Sequence, residues 1–174
     1  MTGKDFLRAV ANGRTDLVQV LLDILKETGA SYCAIGRLAV NAYAEPVVSL
    51  DLDLVVVADR LAAVGKAARA RGLSVEEFEH SVNLSAAGSD LRVQLQTDPR
   101  YQDFLKRAAE REVLGYRLRV AAVEDVLQGK LWAYADAARR KSKRQKDLAD
   151  ILRLVEAHPE LKDRLPARLR KQAE

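Results

Sequence analysis

Short apolar runs alternate with helix-like repeats along the chain, and this pattern predicts a protein of mixed α and β structure. Near the N-terminus, apolar residues at helical spacing predict a short helix over 2–11 and an amphipathic helix over 15–26 that Thr15 caps. Strand patterns follow at 32–35 and 51–57, and the second is apolar without interruption after its first residues. Such a run is typical of a central strand that is buried on both faces.

The later part of the chain continues this alternation. Pro, Gly and capping residues divide it into segments. We expect the following elements: a helix over 60–71 capped by Asp59, a strand with a bend over 73–84, an alternating strand over 91–96, a helix over 101–111, a strand over 117–121, a helix that opens at Glu124-Asp125, a helix that ends at Pro159, and a short helix over 161–169.

Two acidic residues stand at the head of the apolar strand. Asp51 and Asp53 leave the same face of a strand because side chains at i and i+2 point the same way. Adjacent carboxylates repel each other, so such a pair is stabilised by a cation, and Mg²⁺ suits two carboxylates plus a phosphate. The alternative is a pair at a solvated strand edge. We predict a Mg²⁺ site at Asp51 and Asp53.

A glycine turn lies between the two strands. Gly36 opens the short helix after the first strand, and a helix start beside a glycine is a ready phosphate cradle. The alternative is that Gly36 serves only the turn. Arg37 follows it, and its charge either meets a phosphate or blocks the pocket. We predict that Gly36 and Arg37 belong to a phosphate-binding site.

Length and composition limit the function classes. The 174 residues are 48% hydrophobic, which is enough for one domain or for a domain with a small helical lobe. The net charge of +4 does not by itself imply nucleic acid. A single cysteine, Cys33, excludes a disulfide framework and a cysteine-based zinc site. No apolar run approaches membrane-spanning length and no signal pattern opens the chain, so we expect a cytoplasmic protein without a membrane partner.

The glycine turn and the Asp51-Leu52-Asp53-Leu54 strand resemble the signature of the nucleotidyltransferase superfamily that includes DNA polymerase β. The chain also looks like the small bacterial nucleotidyltransferases grouped with abortive-infection (AbiEii-like) toxins, over residues 32–159. The resemblance implies an α+β fold, in which helices flank a mixed sheet. Residues 1–122 would form the core with the N-terminal helices, and 123–174 a C-terminal helical lobe packed on it.

The resemblance also implies roles for residues of the later helices. Lys130 matches a helix lysine that contacts the triphosphate in this family, although most lysines are solvated surface residues. Six of the eight residues over 139–146 are basic, which is typical of a solvated face or a nucleic-acid patch. This run continues into a segment that resembles the family's Lys-Asp-x-x-Asp element. Lys143 and Lys146 would meet phosphates there, and Asp147 would act as a base or an orienter.

Two positions depart from the family pattern. Arg37 stands where a second Gly or Ser is expected, and strand 91–96 offers Gln94 or Gln96 where a third carboxylate is expected. The second departure puts strong two-metal catalysis in doubt.

The sequence therefore predicts a Mg²⁺-dependent transfer of a nucleotide from a nucleoside triphosphate to an acceptor hydroxyl. Asp51, Asp53 and Asp147 would be catalytic. The basic run suggests RNA as the acceptor, and the resemblance suggests a toxin with an antitoxin partner. The alternatives are a nucleotide-binding module without turnover and a partner-binding half of a toxin–antitoxin pair.

Overall fold

The computed structural model describes residues 2–13 and 15–173, which fold around a seven-stranded mixed sheet. Its strands are β1 (Tyr32–Ile35), β2 (Asp51–Val56), β3 (Ser74–Glu77), β4 (Ser81–Ser85), β5 (Arg92–Gln96), β6 (Ala109–Val113) and β7 (Tyr116–Val120). Its α-helices are α1 (Gly3–Val10), α2 (Leu17–Glu27), α3 (Gly36–Val40), α4 (Leu61–Ala70), α5 (Pro99–Gln102), α6 (Phe104–Arg107), α7 (Val123–Ala135), α8 (Lys141–Ala157) and α9 (Ala167–Arg170). The expected α+β class is confirmed.

The strand order is β3-β4-β5-β2-β1-β7-β6, so β2 is the middle strand. β2 pairs antiparallel with β1 and parallel with β5. Its apolar residues, among them Val55 and Val56, are fully buried, which confirms the predicted central strand. Because β2 begins at Asp51, the two carboxylates lie at its N-terminal end.

The two faces of the sheet differ in what covers them. On one face, the alternating apolar residues of β2, β4 and β5 are buried in the core, and α4 packs on β3 and β4. On the other face, α3, α5 and α6 pack on β2, but the polar side chains of β3, β4 and β5 stay open. The chain therefore leaves half of one sheet face uncovered beside the two acids.

The C-terminal helices pack on the core. α7 and α8 pack against each other along their length, and both contact α3, the helix that follows Gly36. Among the described residues, none of the helices has the length and apolar character needed to cross a membrane.

Several predicted element ends were wrong. Asp16, not Thr15, caps α2 by accepting a hydrogen bond from the Gln19 backbone N–H. Asp59 lies inside a 3₁₀ turn, Ala58–Arg60, and does not cap α4. The segment over 161–169 is a 3₁₀ helix, Pro159–Arg164, followed by α9.

Two larger errors concern β structure. The bent strand over 73–84 is the hairpin of β3 and β4. The helix over 101–111 stops early, and Ala109–Val113 forms β6, which pairs antiparallel with β7. Leu114 and Gly115 join β6 to β7 with positive φ values of 49° and 81°, which matches the twist of a two-residue hairpin turn.

Candidate active site

The Gly36 turn presses against the second aspartate. Ile35 pairs with Asp53 across β1 and β2, and Gly36 follows with φ of +69°. A Cβ atom at Gly36 would lie 2.5 Å from Asp53 Oδ2. Gly36 is therefore required by its backbone conformation and also by the approach of the carboxylate, so the turn alone does not explain it.

Asp51 and Asp53 open into one cleft of about 690 Å³, a volume in the range of small-ligand pockets. The open polar face of β3, β4 and β5 forms its floor, and Arg139 and Lys143 line it beside α8. The two carboxylates therefore share one cavity, as the strand alternation predicts.

A row of polar side chains crosses this floor from the acids to the sheet edge. Asp53 pairs with Gln94 on β5, Gln94 pairs with Asn83 on β4, and Asn83 pairs with Glu76 on β3. Gln94 Nε2 lies 3.4 Å from Asn83 Oδ1. The resemblance implies a third carboxylate on β5 beside the two acids. Gln94 occupies the position beside Asp53, and its side chain is a neutral amide.

Arg92 is a site residue to which the sequence reasoning assigned no role. It pairs with Asp51 in the β2–β5 register, and its Nε donates to Asp51 Oδ1 at 2.9 Å. Lys143 Nζ lies 3.8 Å from Asp51 Oδ2. The alternation of β5 already points Arg92 outward with Gln94, but its partner depends on the strand register.

Asp53 is the acid whose ionisation the surroundings change most clearly. The pKa of Asp53 is raised from 3.8 to about 6, chiefly because the carboxyl is buried; Lys130, Arg139 and Lys143 lower it, and the neighbouring Asp51 adds to the rise. Loss of hydration disfavours the carboxylate more than these cations favour it. A cation bound beside Asp53 would restore its charged form.

Lys130 lies at the centre of a buried ionic network. Its Nζ is 3.1 Å from Asp147 Oδ1 and 2.8 Å from Asp150 Oδ2, and all three side chains are at least nine-tenths buried. Arg139 Nε also donates to Asp147, at 2.6 Å. Lys130 is therefore not a solvated surface lysine. Both oxygens of Asp147 have cationic partners, an arrangement that suits an orienting role better than that of a base.

Arg37 joins the same network from the glycine turn. Its Nε donates to both oxygens of Asp150, at 3.2 and 3.1 Å, and its Nη2 donates to the Lys146 carbonyl at 3.2 Å. The guanidinium therefore ties the start of α3 to α8. Asp150 also accepts from Arg153 at 3.0 Å, and the sequence reasoning gave neither Asp150 nor Arg153 a role.

The predicted site residues converge on one recess beside the cleft. Arg37, Lys130, Lys143, Lys146 and Asp147 line it together with both aspartates, and Gly36 abuts Asp53. In the basic run, Arg139 pairs with Asp147, while Arg144 donates to the Tyr134 carbonyl.

The donor set fits one hard cation. Mg²⁺ is usually held by one or two carboxylates, with waters and substrate phosphates as its other ligands. Asp51 and Asp53 supply these oxygens, and the open cleft leaves room for phosphate and water. Within residues 2–13 and 15–173, no group of three or more His, Cys, Asp or Glu side chains is arranged to hold a metal ion.

Comparisons with known proteins bear on the fold. No known family model matches the chain, and no curated protein matches it significantly. Among solved structures, the antibiotic-resistance factor ANT(2'')-Ia is similar with a TM-score of 0.62 and 16% identity over 90% of this chain and 88% of that chain. The lincosamide antibiotic adenylyltransferase LnuA, bound to lincomycin, is similar with a TM-score of 0.57 and 12% identity, over 82% of this chain and 99% of that chain. A nucleotidyltransferase-like protein from Paracoccidioides brasiliensis is similar with a TM-score of 0.56 and 18% identity, over 96% of this chain and 85% of that chain.

The chain therefore has a nucleotidyltransferase-like fold. The similarity covers most of the chain in all three comparisons, although the sequences have diverged far. The acceptor and the metal requirement of this chain are separate questions, because one fold hosts many functions.

Proposed function

We propose that this protein transfers a nucleotide from a nucleoside triphosphate to an acceptor hydroxyl, with Mg²⁺ held by Asp51 and Asp53. One observation carries the proposal. The two carboxylates open into a single cleft beside the Gly36 turn, and Lys143, Lys130 and Arg139 surround them. Such positive groups around paired acids suit a bound metal triphosphate.

Each group has a part in this reaction. Lys143 and Lys146 neutralise the phosphates, while Asp147 and Asp150 hold Lys130 toward Asp53. Bound Mg²⁺ supplies Lewis-acid polarisation and charge neutralisation. The acceptor oxygen bonds to the α-phosphorus, pyrophosphate leaves, and the hydroxyl proton passes to water in the open cleft. Positioning and charge account for most of the rate in this chemistry.

The acceptor that the cleft fits best is a small molecule with several hydroxyl groups. Ser74, Asn83, Ser85 and Gln94 on its floor are neutral hydrogen-bonding groups of the kind that contact hydroxyls. Two similar structures point the same way, since one is ANT(2'')-Ia with adenylyl-2''-tobramycin and the other is LnuA with lincomycin.

RNA is the second candidate acceptor. Arg140 and Lys141 are exposed at the start of α8, beside Lys143 at the cleft, and this favours a phosphate backbone that runs along the helix end. A toxin role, an antitoxin partner and a nucleotide-binding module without turnover stay predictions from the sequence.

A labelled-nucleotide assay tests the proposal. Each of the four α-³²P nucleoside triphosphates is incubated with Mg²⁺ and the protein, in the presence of bulk RNA or of a set of hydroxyl compounds that includes tobramycin and lincomycin. We expect label in one small acceptor. Label in RNA alone would select the second candidate. Nucleotide binding without transfer to any acceptor would favour the module without turnover.

Variants assign the activity to the cleft. Asp51→Asn and Asp53→Asn should each reduce transfer by at least about 100-fold, because each removes a charged metal ligand. Asp59→Asn makes the same chemical change at an exposed position and should leave transfer unchanged. Equal activity in all three variants would contradict the proposed site.

A further inference from the structure

The two aspartates have unequal neighbours across β2 and β5. Asp51 pairs in register with Arg92, and Asp53 pairs with Gln94. The Arg92 guanidinium contacts Asp51 Oδ1 at 2.9 Å, while Oδ2 faces Lys143 at 3.8 Å. Arg92 thus pairs with one oxygen of Asp51, and the other oxygen, which Lys143 approaches to 3.8 Å, is left for a ligand.

A pair of divalent ions needs more negative charge than this site offers. In two-metal sites the ions lie about 3.5–4 Å apart, and carboxylates must offset their repulsion. The β5 positions beside the acids carry a cation and a neutral amide. No third acidic, His or Cys ligand joins Asp51 and Asp53 among the residues that the structure describes.

The Arg92 guanidinium already supplies positive charge at this point. An arginine keeps its charge at all pH values that proteins tolerate. It lies on the cleft floor, where the acceptor of the proposed reaction would bind.

We propose that Arg92 takes the place of a second metal ion, so that the site works with a single divalent ion, and that it positions Asp51 to bind this ion through Oδ2. The inference rests on the proposed function, because it concerns the metal of that reaction. Its test is nevertheless read from ion binding, apart from turnover.

The number of bound ions tests the first half of the proposal. Mn²⁺ binding is titrated by electron paramagnetic resonance with saturating α,β-methylene ATP, which the reaction does not cleave. Wild-type protein should hold one ion per protein-bound nucleotide, and this ion is the one that Asp51 and Asp53 share with the triphosphate; ions on free nucleotide are subtracted with a protein-free titration. The double variant Arg92→Gln/Gln94→Asp should bind two, since it exchanges a cation for a neutral group and adds a carboxylate. Two ions of similar affinity in the wild type would overturn the proposal.

The Arg92→Gln variant tests the positioning role. Without nucleotide, it should bind Mn²⁺ about tenfold more tightly, because a competing cation has left Asp51. Its kcat should fall by about tenfold or more with little change in KM for the nucleotide, and Arg92→Lys should recover part of the kcat. If Arg92 served only folding, Arg92→Gln would leave the Mn²⁺ affinity unchanged, and Arg92→Lys would recover no kcat. Unchanged Mn²⁺ affinity in Arg92→Gln would overturn the role of Arg92.

Arg69→Gln is the matched control. Arg69 also forms an exposed ion pair, with Glu77 at 2.9 Å, but on α4, which packs on the opposite face of the sheet. It should leave the number of bound ions, the Mn²⁺ affinity and kcat unchanged.

If wild-type protein transfers no nucleotide, the proposed function fails while the ion count still reports on Arg92. If transfer occurs but two ions bind, only the present inference fails.

Discussion

At the scale of single residues, the contact between Gly36 and Asp53 decides how the second carboxylate faces the cleft. The glycine has no Cβ, and its positive φ brings the backbone against Asp53 Oδ2. Any side chain at this position must displace the carboxylate or shift β1. The turn and the acid therefore form one unit, although 16 positions separate them along the chain.

Gly36→Ala should disable the site as well as destabilise the fold. We expect a loss of about 1–3 kcal/mol in the free energy of unfolding, from the positive φ and from the clash. Gly29→Ala is the control, because Gly29 has a φ of +64° and open space around its Cβ position. Urea unfolding and Mn²⁺ titration measure the two effects. Equal Mn²⁺ affinity in the two variants would contradict the role of the Gly36–Asp53 contact.

Divalent-ion affinity should depend on pH through Asp53. Its pKa is raised to about 6 by burial, and a metal ligand must be deprotonated. Protons therefore compete with the ion below pH 6, and the apparent affinity should fall about tenfold for each pH unit there. Above pH 7 it should be constant. Mn²⁺ titrations between pH 5 and 8 measure this, and an affinity that stays flat down to pH 5 would be the contrary result.

The same pKa shift has a consequence for stability. The charged form of Asp53 is disfavoured in the fold, so this group lowers the free energy of unfolding above pH 6, and the effect fades as the pH falls toward 3.8. Asp53→Asn should therefore raise the melting temperature at pH 8 and change it little at pH 4. A lower melting temperature at pH 8 would show that Asp53 stabilises the fold.

Sequence reasoning found the acids because strand alternation is a local property. Asp51 and Asp53 share a face in any regular strand. It missed the role of Arg92 because an ion pair between strands depends on register, which the pattern of one sequence does not provide.

At the scale of elements, the helices α3, α7 and α8 are joined by charged groups. Asp150 on α8 contacts Lys130 from α7 and Arg37 from α3. A buried carboxylate with these partners is stabilised by them, and its removal takes from Arg37 the carboxylate that it binds and leaves Lys130 with Asp147.

Asp150→Asn should reduce the free energy of unfolding by about 3–5 kcal/mol, because Lys130 and Arg37 lose their shared counter-charge. Asp163→Asn, at an exposed position, should change it by less than about 0.5 kcal/mol. Urea unfolding of both variants provides the comparison. If Asp150→Asn proves as stable as Asp163→Asn, the network does not hold the helices together.

The elements that sequence predicted well have strong apolar signals. β2 and α2 are examples, since β2 is an unbroken apolar run after its acids and the buried residues of α2 follow the helical period. β6 was missed because four of its five residues are exposed, so it lacks the alternation of a half-buried strand. Gly115 in the turn was the one local signal for that hairpin.

At the scale of the whole molecule, the C-terminal helices and the sheet share the site. The proposed phosphate-binding lysines, Lys143 and Lys146, lie on α8, Lys130 lies on α7, and the acids lie on β2. Helix α3 contacts both parts. The division into 1–122 and 123–174 stays a prediction from the sequence, and the ionic network suggests that these two parts unfold together.

Calorimetry should therefore record one unfolding transition, with equal calorimetric and van't Hoff enthalpies. The physical reason is that separation of the helices from the core would break the ion pair between Arg37 of the core and Asp150 of α8, whose carboxylate is buried. The measurement is made on the full chain. Two separate transitions would instead show that the C-terminal helices form an independent unit.

The central claim is that Asp51 and Asp53 hold the metal of a bound nucleoside triphosphate. A crystal structure of the protein with Mg²⁺ and α,β-methylene ATP tests this claim most directly. We predict one ion about 2.1 Å from an oxygen of each aspartate, with the triphosphate between the Gly36 turn, Lys143 and Lys146. A nucleotide bound outside this cleft, or one bound there with no ion on the two carboxylates, would contradict the account.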